Sequence, residues 1–462
     1  MTQQLGQEWK KELGALAKMA LPVVLSELGW MAQGVVDTIM VGRLGPAAIG
    51  AVAVGNAVFY SPSLFGIGLL LGLDTVVAQA YGRKDFDDCH RWLAQGIYLA
   101  LAISPLLMIA VFFASFGYAH FGIAPEVAGP ATSYLRTLLW SILPLLIYGA
   151  GRRYLQGVGQ VRVITLTYIG ANLLNWGGNW ALIYGHLGFP AMGVRGSALS
   201  TVVARILMAV SMIGFAWRYE RQRGHPLFAH WAGPQWDRIK QLIRLGLPAA
   251  IQITLEVGAW NFATLSAGFL DPIALATHQI AINYASITYM VPLGISAAAA
   301  VSVGHAIGAG DKLRARRAGW LALGLGTSFM ILASIAFFVA PKHLIALFTT
   351  DPRVMAVGPS LLWIAAAFQI FDGVQTVCTG ALRGLGETRA PMWANFLGYW
   401  ILGLPLGLIL CFVLKWGVYG MWIGLTLALI VISAILLKRW RRESEQLCAG
   451  GLIPGDASAS GQ

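Results

Sequence analysis

Three carboxylates and two amides stand inside apolar stretches of this chain: Asp37 in VVDTIMVGRLG, Glu256 in TLEVGAWNF, Asp372 in QIFDGVQTV, and Asn175 and Asn179 in ANLLNWGGNW. Their oxygens are hard ligands, suited to Na+ or, for a carboxylate, to a proton. A carboxylate inside a membrane costs about 2.5–3.5 kcal/mol on insertion scales, so each calls for a reason. The i, i+4 spacing of Asn175 and Asn179 puts both on one helix face. Gln279 and Asn283, in THQIAINY, share that spacing and are further candidates to line a cavity, with packing an equal alternative.

The elements that must position these groups follow from composition. The chain is 57% hydrophobic and 11% charged, with a mean hydropathy of +0.67, against roughly 25% charged residues in soluble domains. This predicts an all-α integral membrane protein. Stretches of the roughly 20 residues needed to cross a bilayer recur about twelve times, near residues 16–41, 47–73, 92–116, 131–151, 163–185, 193–217, 245–267, 273–300, 318–340, 354–380, 391–412 and 417–437. The polar start MTQQLGQEWKKEL does not read as a cleavable signal, so the first span is expected to stay. With twelve spans and a cytoplasmic N-terminus, 25 Lys and Arg fall at cytoplasmic ends and 5 at the opposite ends. The positive-inside rule then places both termini in the cytoplasm of a cell bearing this protein in its inner membrane. Most of the 17 Trp are expected as interfacial anchors.

Depth can be counted along each span. Glu256 lies 12 residues past Arg244 and Asp372 lies 11 before Arg383, roughly 18 and 16 Å from the inner face. At matching depth they can converge as a pair that holds a proton or shares a cation, the alternative being two unrelated carboxyls each met by a neighbouring helix. Asp37 and Asn179 also share a level, roughly 28 and 25 Å deep. There, oxygen ligands can surround a cation, or the amides can merely join helices. Glu27 and Asp74, each roughly 13 Å deep, and mid-span Arg205 read equally well as a structural ion pair among themselves.

The chain also repeats itself at an offset of 226 to 227. LPVVLSELGW at 21–30 faces LPAAIQITLE at 247–256, GRLGPAAIGA at 42–51 faces GFLDPIALAT at 268–277, and QGVGQ at 156–160 faces RGLGE at 383–387. Two homologous six-helix lobes follow, residues 1–216 and 238–442, with a cytoplasmic linker at 217–237 and a disordered tail at 443–462. Six spans per copy give both lobes the same topology, related by an axis along the membrane normal, with substrate expected near the midplane.

Other chemistries lack their residues. Cys89, Cys378, Cys411 and Cys448 form no CxxC pair, His278 and His305 have no metal-ligand spacing, and RGLGE follows no strand and lacks a GK[ST] ending. The net charge of +12 sits in short loops beside apolar spans, which fits anionic lipid headgroups rather than nucleic acid. No nucleophile, base and orienter set stands out, and no cofactor is expected. The residues read as a secondary transporter driven through buried carboxylates.

VDTIMVGRLG at 36–45, AQAYGRKD at 78–85, ATHQIAINY at 276–284, GHAIGAGD at 304–311 and CTGALRGLGETR at 378–389 resemble the multidrug and toxic compound extrusion family, its NorM-type branch in particular. The resemblance covers roughly residues 10–440. It implies a twelve-helix antiporter with a V-shaped pair of lobes that expels cationic and aromatic drugs in exchange for Na+ or H+. Asp37 matches the family's first-helix aspartate, Glu256 its seventh-helix glutamate, Asp372 its tenth-helix aspartate, and Asn175 and Asn179 its fifth-helix polar pair. Some relatives carry an aspartate where this chain has Asn179. Possible Na+ ligands are thus Glu256 with Asp372, or Asp37 with Asn179. Pro22, Pro248, Pro292 and Pro405 offer bends for a rocking motion, and a duplicated chain can form its pathway as a monomer. A lipid-linked head-group flippase of the same superfamily is the alternative, and an integral membrane enzyme a more distant one.

Overall fold

The computed structural model describes residues 2–119, 123–225, 227 and 233–449. Twelve long helical segments follow in order: α1 (Thr2–Gly42), α2 (Pro46–Gly82, with a turn at Leu70 and Leu71), α3 (Phe86–Ala114), α4 (Pro125–Gly157), α5 (Val161–Tyr184) and α6 (Val194–Gln222). Then come α7 (Trp236–Gly268), α8 (Pro272–Gly308), α9 (Lys312–Val339), α10 (Pro352–Gly384), α11 (Arg389–Val413) and α12 (Gly417–Cys448). Among the described residues, eleven of these are long and apolar enough to cross a membrane. The twelfth is α5, whose 24 residues span roughly 36 Å but carry Asn172, Asn175 and Asn179. This is a multi-pass membrane protein.

Several boundaries move from their expected places. α1 begins at Thr2 rather than near residue 16. The expected linker loses residues 217–222 to α6 and Trp236 and Asp237 to α7. α12 runs to Cys448, so residues 443–448 of the expected disordered tail are helical, and 450–462 lie outside the described residues.

By packing, the chain forms two compact units, Leu25–Ala250 and Met1–Val24 with Ile251–Gln462. Each division falls two residues after a proline inside a helix, Pro22 in α1 and Pro248 in α7. Proline removes one i→i−4 hydrogen bond and bends the helix, so the two sides of each proline can follow different neighbours.

Matching glycine contacts hold the helix starts. In the unit Leu25–Ala250, a Cβ on Gly68 of α2 would lie 2.6 Å from the Ala250 Cα. In the other unit, a Cβ on Gly294 of α8 would lie 2.4 Å from the Val24 Cγ2. Gly68 and Gly294 are 226 apart, as are Val24 and Ala250, so duplication reproduces one close helix crossing twice. Polar ties reinforce it. Arg238 at the start of α7 lies 2.6 Å from Asp88 of α3 and stacks on Trp92, while Gln95 accepts from the Gln235 N–H at 2.7 Å. Glu12 of α1 pairs with Arg317 of α9 at 3.2 Å.

In the unit Leu25–Ala250, three consecutive residues of α4 meet three buried acids. Arg152 donates to Glu27 of α1, Arg153 to Asp74 of α2 at 3.4 Å, and the Tyr154 hydroxyl to Glu220 of α6 at 2.8 Å. Successive helical residues are 100° apart, so one turn addresses three neighbours. Glu220 also faces His90 of α3 at 3.3 Å. The expected pairing among Glu27, Asp74 and Arg205 does not form. Arg205 instead donates to Ser141 at 2.5 Å and stacks 4.7 Å from the Phe59 ring centroid. Arg152 and Arg153 are two of the 25 Lys and Arg that sequence alone put at cytoplasmic ends, because it gives position along a helix but not rotation about it.

Two stability predictions follow from these contacts. Gly294→Ala and Gly246→Ala, whose new Cβ would lie 1.8 Å from the Leu69 carbonyl oxygen, are expected to lower the thermal midpoint in detergent by an overpacking cost of about 1–3 kcal/mol. Gly324→Ala, with nothing within 4 Å, should leave it unchanged or raised; equal midpoints for all three would contradict the close crossings. Arg152→Gln strands the buried Glu27 and is expected to cost about 3–5 kcal/mol. Adding Glu27→Gln should restore much of the midpoint, and no recovery would mean that the pair is not what Arg152 supports.

Candidate cation and substrate sites

Within the unit Leu25–Ala250, α1 and α5 lie side by side, joined by a ladder of polar contacts. Ser26 meets Thr165 at 3.2 Å, Asn172 donates to the Gly29 carbonyl at 2.9 Å, Asn179 to Asp37 at 2.6 Å, and the Tyr184 hydroxyl to the Met40 carbonyl at 2.6 Å. Both partners ascend together, so the helices run parallel. Asp37 is 7% exposed, and Asn175 and Asn179 are fully buried. The Asn179 Nδ2 also reaches Asn175 Oδ1 at 3.3 Å, and Asn175 donates to Thr201 of α6 at 3.3 Å. Gly178 lets α6 approach, since a Cβ there would lie 2.5 Å from Ser200 Oγ, which donates to the Asn175 carbonyl at 2.9 Å.

With its nitrogen committed to Asp37 and Asn175, Asn179 leaves Oδ1 buried without a hydrogen-bond partner among the described residues. An orphaned acceptor next to a carboxylate is an unusual arrangement, because buried polar atoms are nearly always satisfied. It offers two oxygens of the kind a hard cation takes. Arg205 acts on Asp37 electrostatically but forms no ion pair with it among the described residues. Tyr60, packed edge-on against Trp30 with centroids 6.1 Å apart, lies within the field of both Asp37 and Arg205.

In the other unit, Glu256 of α7 and Asp372 of α10 come together. Glu256 is the charge that acts on Asp372, and Asp372 is 4% exposed. Gln375, one turn from Asp372, donates to Glu256 at 3.4 Å and accepts from the Tyr399 hydroxyl at 3.5 Å. Tyr289 of α8 and Tyr399 of α11 both lie in the field of the two acids. Small residues set this spacing. On α10, Gly380 and Gly384 form a GxxxG pair against α8, where added Cβ atoms would lie 2.1 and 2.6 Å from the Ser296 and Ala300 carbonyl oxygens.

Tyr399 owes its place to an irregular helix. α11 widens into π turns at Phe396–Gly403 and Ile409–Val413, on either side of Pro405, which lacks an N–H for the regular ladder. The same turn aims Trp400, whose indole N–H donates to the Leu255 carbonyl at 3.0 Å, next to Glu256. Gln375, Tyr289, Tyr399 and Trp400 were not among the residues singled out from sequence. The one signal for Tyr399 and Trp400 was Pro405 within an apolar, glycine-punctuated span.

One turn from the acids lies an aromatic cluster. Trp260 is four residues beyond Glu256 and Phe368 four before Asp372, and their ring centroids are 5.2 Å apart; Trp422 completes the group at 5.3 and 5.7 Å. Trp422 donates its indole N–H to His278 Nδ1 at 3.0 Å. Because indole only donates, Nδ1 accepts and the His278 proton sits on Nε2, 2.9 Å from the Thr264 hydroxyl. His278 is thereby a neutral, fully bonded core residue. Gln279 is exposed and Asn283 half-buried on the same helix.

Five of the acids carried by the spans fall into two kinds. Glu27 and Asp74 have guanidinium partners, whereas Asp37, Glu256 and Asp372 form no ion pair among the described residues and are met by amides or each other.

Known proteins resemble this chain over nearly its whole length. The MatE family model matches twice, over residues 22–181 and 248–409, one match in each copy of the repeat. A protein of Mesorhizobium japonicum named "Probable multidrug resistance protein NorM" is 38% identical over 444 residues, covering 94% of both chains. One of Brucella suis with the same name is 33% identical over 451 residues, covering 96% of this chain and 95% of its own. Two solved structures share the fold: a MATE transporter in complex with MaD3S (TM-score 0.86, 19% identity, 95% of this chain and 97% of that one) and the eukaryotic MATE transporter AtDTX14 (TM-score 0.83, 21% identity, 95% and 98%). With both halves matched by one family model and 38% identity to a NorM relative across the same span, the chain belongs to the MatE family of multidrug transporters.

Proposed function

We propose that this protein is a secondary active antiporter of the inner membrane, with both termini cytoplasmic, that exports cationic and aromatic compounds in exchange for Na+ or H+. The observation that carries this reading is the pairing of half-buried Glu256 with buried Asp372, without a guanidinium partner among the described residues and one turn from the Trp260, Phe368 and Trp422 cluster. Two carboxylates in low dielectric need positive charge, and where the protein supplies none, a mobile cation or proton must. An organic cation with an aromatic body meets the same charge and an aromatic face beside it.

Exchange follows from competition. A ligand shifts a conformational equilibrium only through differential affinity for its states. In the proposed cycle, Na+ or H+ taken up from outside neutralises Glu256 and Asp372 and displaces the organic cation, and its release inside restores the charge for the next substrate. Asp37 with Asn179 is the second cation or substrate site, placed in the other compact unit, and a single chain supplies both. The neighbouring oxygens make Asp37 the group to which a cation would bind most directly there.

Transport in sealed vesicles tests both sites. Asp37→Asn, and Glu256→Gln combined with Asp372→Asn, are expected to cut gradient-driven dye efflux by about tenfold or more, the factor that loss of one charge-assisted contact gives. Membrane insertion and thermal midpoint should hold. Full coupled efflux in the Glu256 and Asp372 double variant would end the antiport mechanism, and full efflux in Asp37→Asn would leave Asp37 a helix-joining residue. The coupling ion is assigned by efflux under an imposed Na+ gradient with the pH gradient abolished: activity means sodium, silence protons. Efflux indifferent to both gradients would remove the exchange reading.

A further inference from the structure

Two of the few basic residues placed away from the arginine-rich loops, Arg136 and Arg195, line one cavity of about 540 Å³ between α4 and α6 in the unit Leu25–Ala250. That volume lies within the ~300–1,000 Å³ usual for small-ligand sites. Arg195 is the second residue of α6, exposed and without a polar partner among the described residues. The Arg136 side chain is fixed: its Nε donates to Ser115 at 3.3 Å, and its guanidinium carbon lies 4.8 and 5.4 Å from the Phe116 and Phe112 ring centroids. Only Nε is used, so the two Nη groups remain without a hydrogen bond among the described residues.

Level and sign are both set by the fold. Ser115 directly follows α3, 29 residues from its start, which puts the Arg136 guanidinium roughly 43 Å from the end bearing Arg83 and Arg91. It therefore stands at the opposite membrane surface, level with the start of α6. Among the described residues, no Asp or Glu lines the cavity. The Gly193 N-cap of α6 carries no side-chain cap, so the positive end of that helix dipole adds to the guanidiniums. Ser133 supplies a further hydroxyl; those of Thr132 and Thr137 are already donated to their own helix. Gly129 keeps the cavity open, with nothing within 4 Å of where a Cβ would stand. Trp140, one turn deeper than Arg136, is 66% exposed, as an indole at the boundary of headgroup and hydrocarbon would be.

We propose that this cavity binds a phosphate group, either that of an anionic phospholipid headgroup or that of a free phosphate ester, with Arg136 and Arg195 on its oxygens. Guanidinium forks match phosphate oxygens in pairs, and two of them lining one cavity with no carboxylate among its described lining is the arrangement that such a group selects.

The test uses the purified full chain. Phosphatidylglycerol and, separately, inorganic phosphate are titrated into protein held in phosphatidylcholine nanodiscs, with binding read by native mass spectrometry and by the shift in thermal midpoint. Arg195→Gln, at an exposed position, is expected to weaken binding by about tenfold, the factor for one charge-assisted hydrogen bond, and Arg136→Gln with Arg195→Gln by more. Gly129→Leu, which fills open space, should weaken it without lowering the midpoint in phosphatidylcholine alone. A response confined to phosphatidylglycerol identifies the lipid as the source, and one confined to inorganic phosphate identifies the free ester. Wild-type affinity for both ligands in Arg195→Gln and in Gly129→Leu overturns the proposal.

Discussion

A carboxylate taken out of water must find positive charge, and the way each one finds it organises this molecule. Desolvation costs several kcal/mol per ion unless geometry and hydrogen bonds offset it. Where an arginine is built in, the charge becomes part of the frame, as when consecutive Arg152 and Arg153 meet Glu27 and Asp74 on two other helices. Where no guanidinium is paired among the described residues, at Asp37 and at the Glu256 and Asp372 pair, amides hold Asp37 and Glu256 in place without neutralising them, and Asp372 faces the charge of Glu256. The first kind fixes helices; the second leaves an electrostatic demand that something mobile must meet.

Duplication separates what the fold needs from what the chemistry needs. Gly68 and Gly294 occupy equivalent positions and make equivalent close approaches, to Ala250 and Val24. The ion-pair frame has no such echo. Glu27, Asp74 and Asp37 correspond to Ile253, Ala300 and Ala263, and Arg152 and Arg153 to Thr379 and Gly380. One equivalent position therefore serves opposite ends: Arg153 anchors a charge, while Gly380 lets α10 settle against the Ser296 carbonyl of α8. Having no arginine there, the second half can bring two acids together unneutralised.

Much of this was legible in the sequence, for reasons that can be named. Hydropathy and length give the spans, and counting at 1.5 Å per residue put Glu256 level with Asp372. What counting cannot give is rotation and irregularity. Arg152 and Arg153 read only as charges at a cytoplasmic end because their inward direction depends on helix packing. Tyr399 and Trp400 were missed because their direction is set by a π-helical stretch that regular periodicity does not describe. α5 met the expectation of a span while falling short in hydropathy, because its asparagines are spent on α1 and α6 rather than exposed to lipid.

The position of the aromatic cluster bears on how exchange could be coupled. Glu256 with Asp372 and Trp260 with Phe368 pair in opposite chain directions, so α7 and α10 run antiparallel and a four-residue step along each moves the same way. That step is about 6 Å, short enough for one organic cation to place its charge at the acids and its ring on the aromatic group. A small ion can satisfy the acids alone. In the proposed cycle the two ligands would thus share a charge but not a footprint, and only the larger would also engage Trp260. Different footprints are what allow two competing ligands to favour different conformations, since equal contacts with every state would shift nothing.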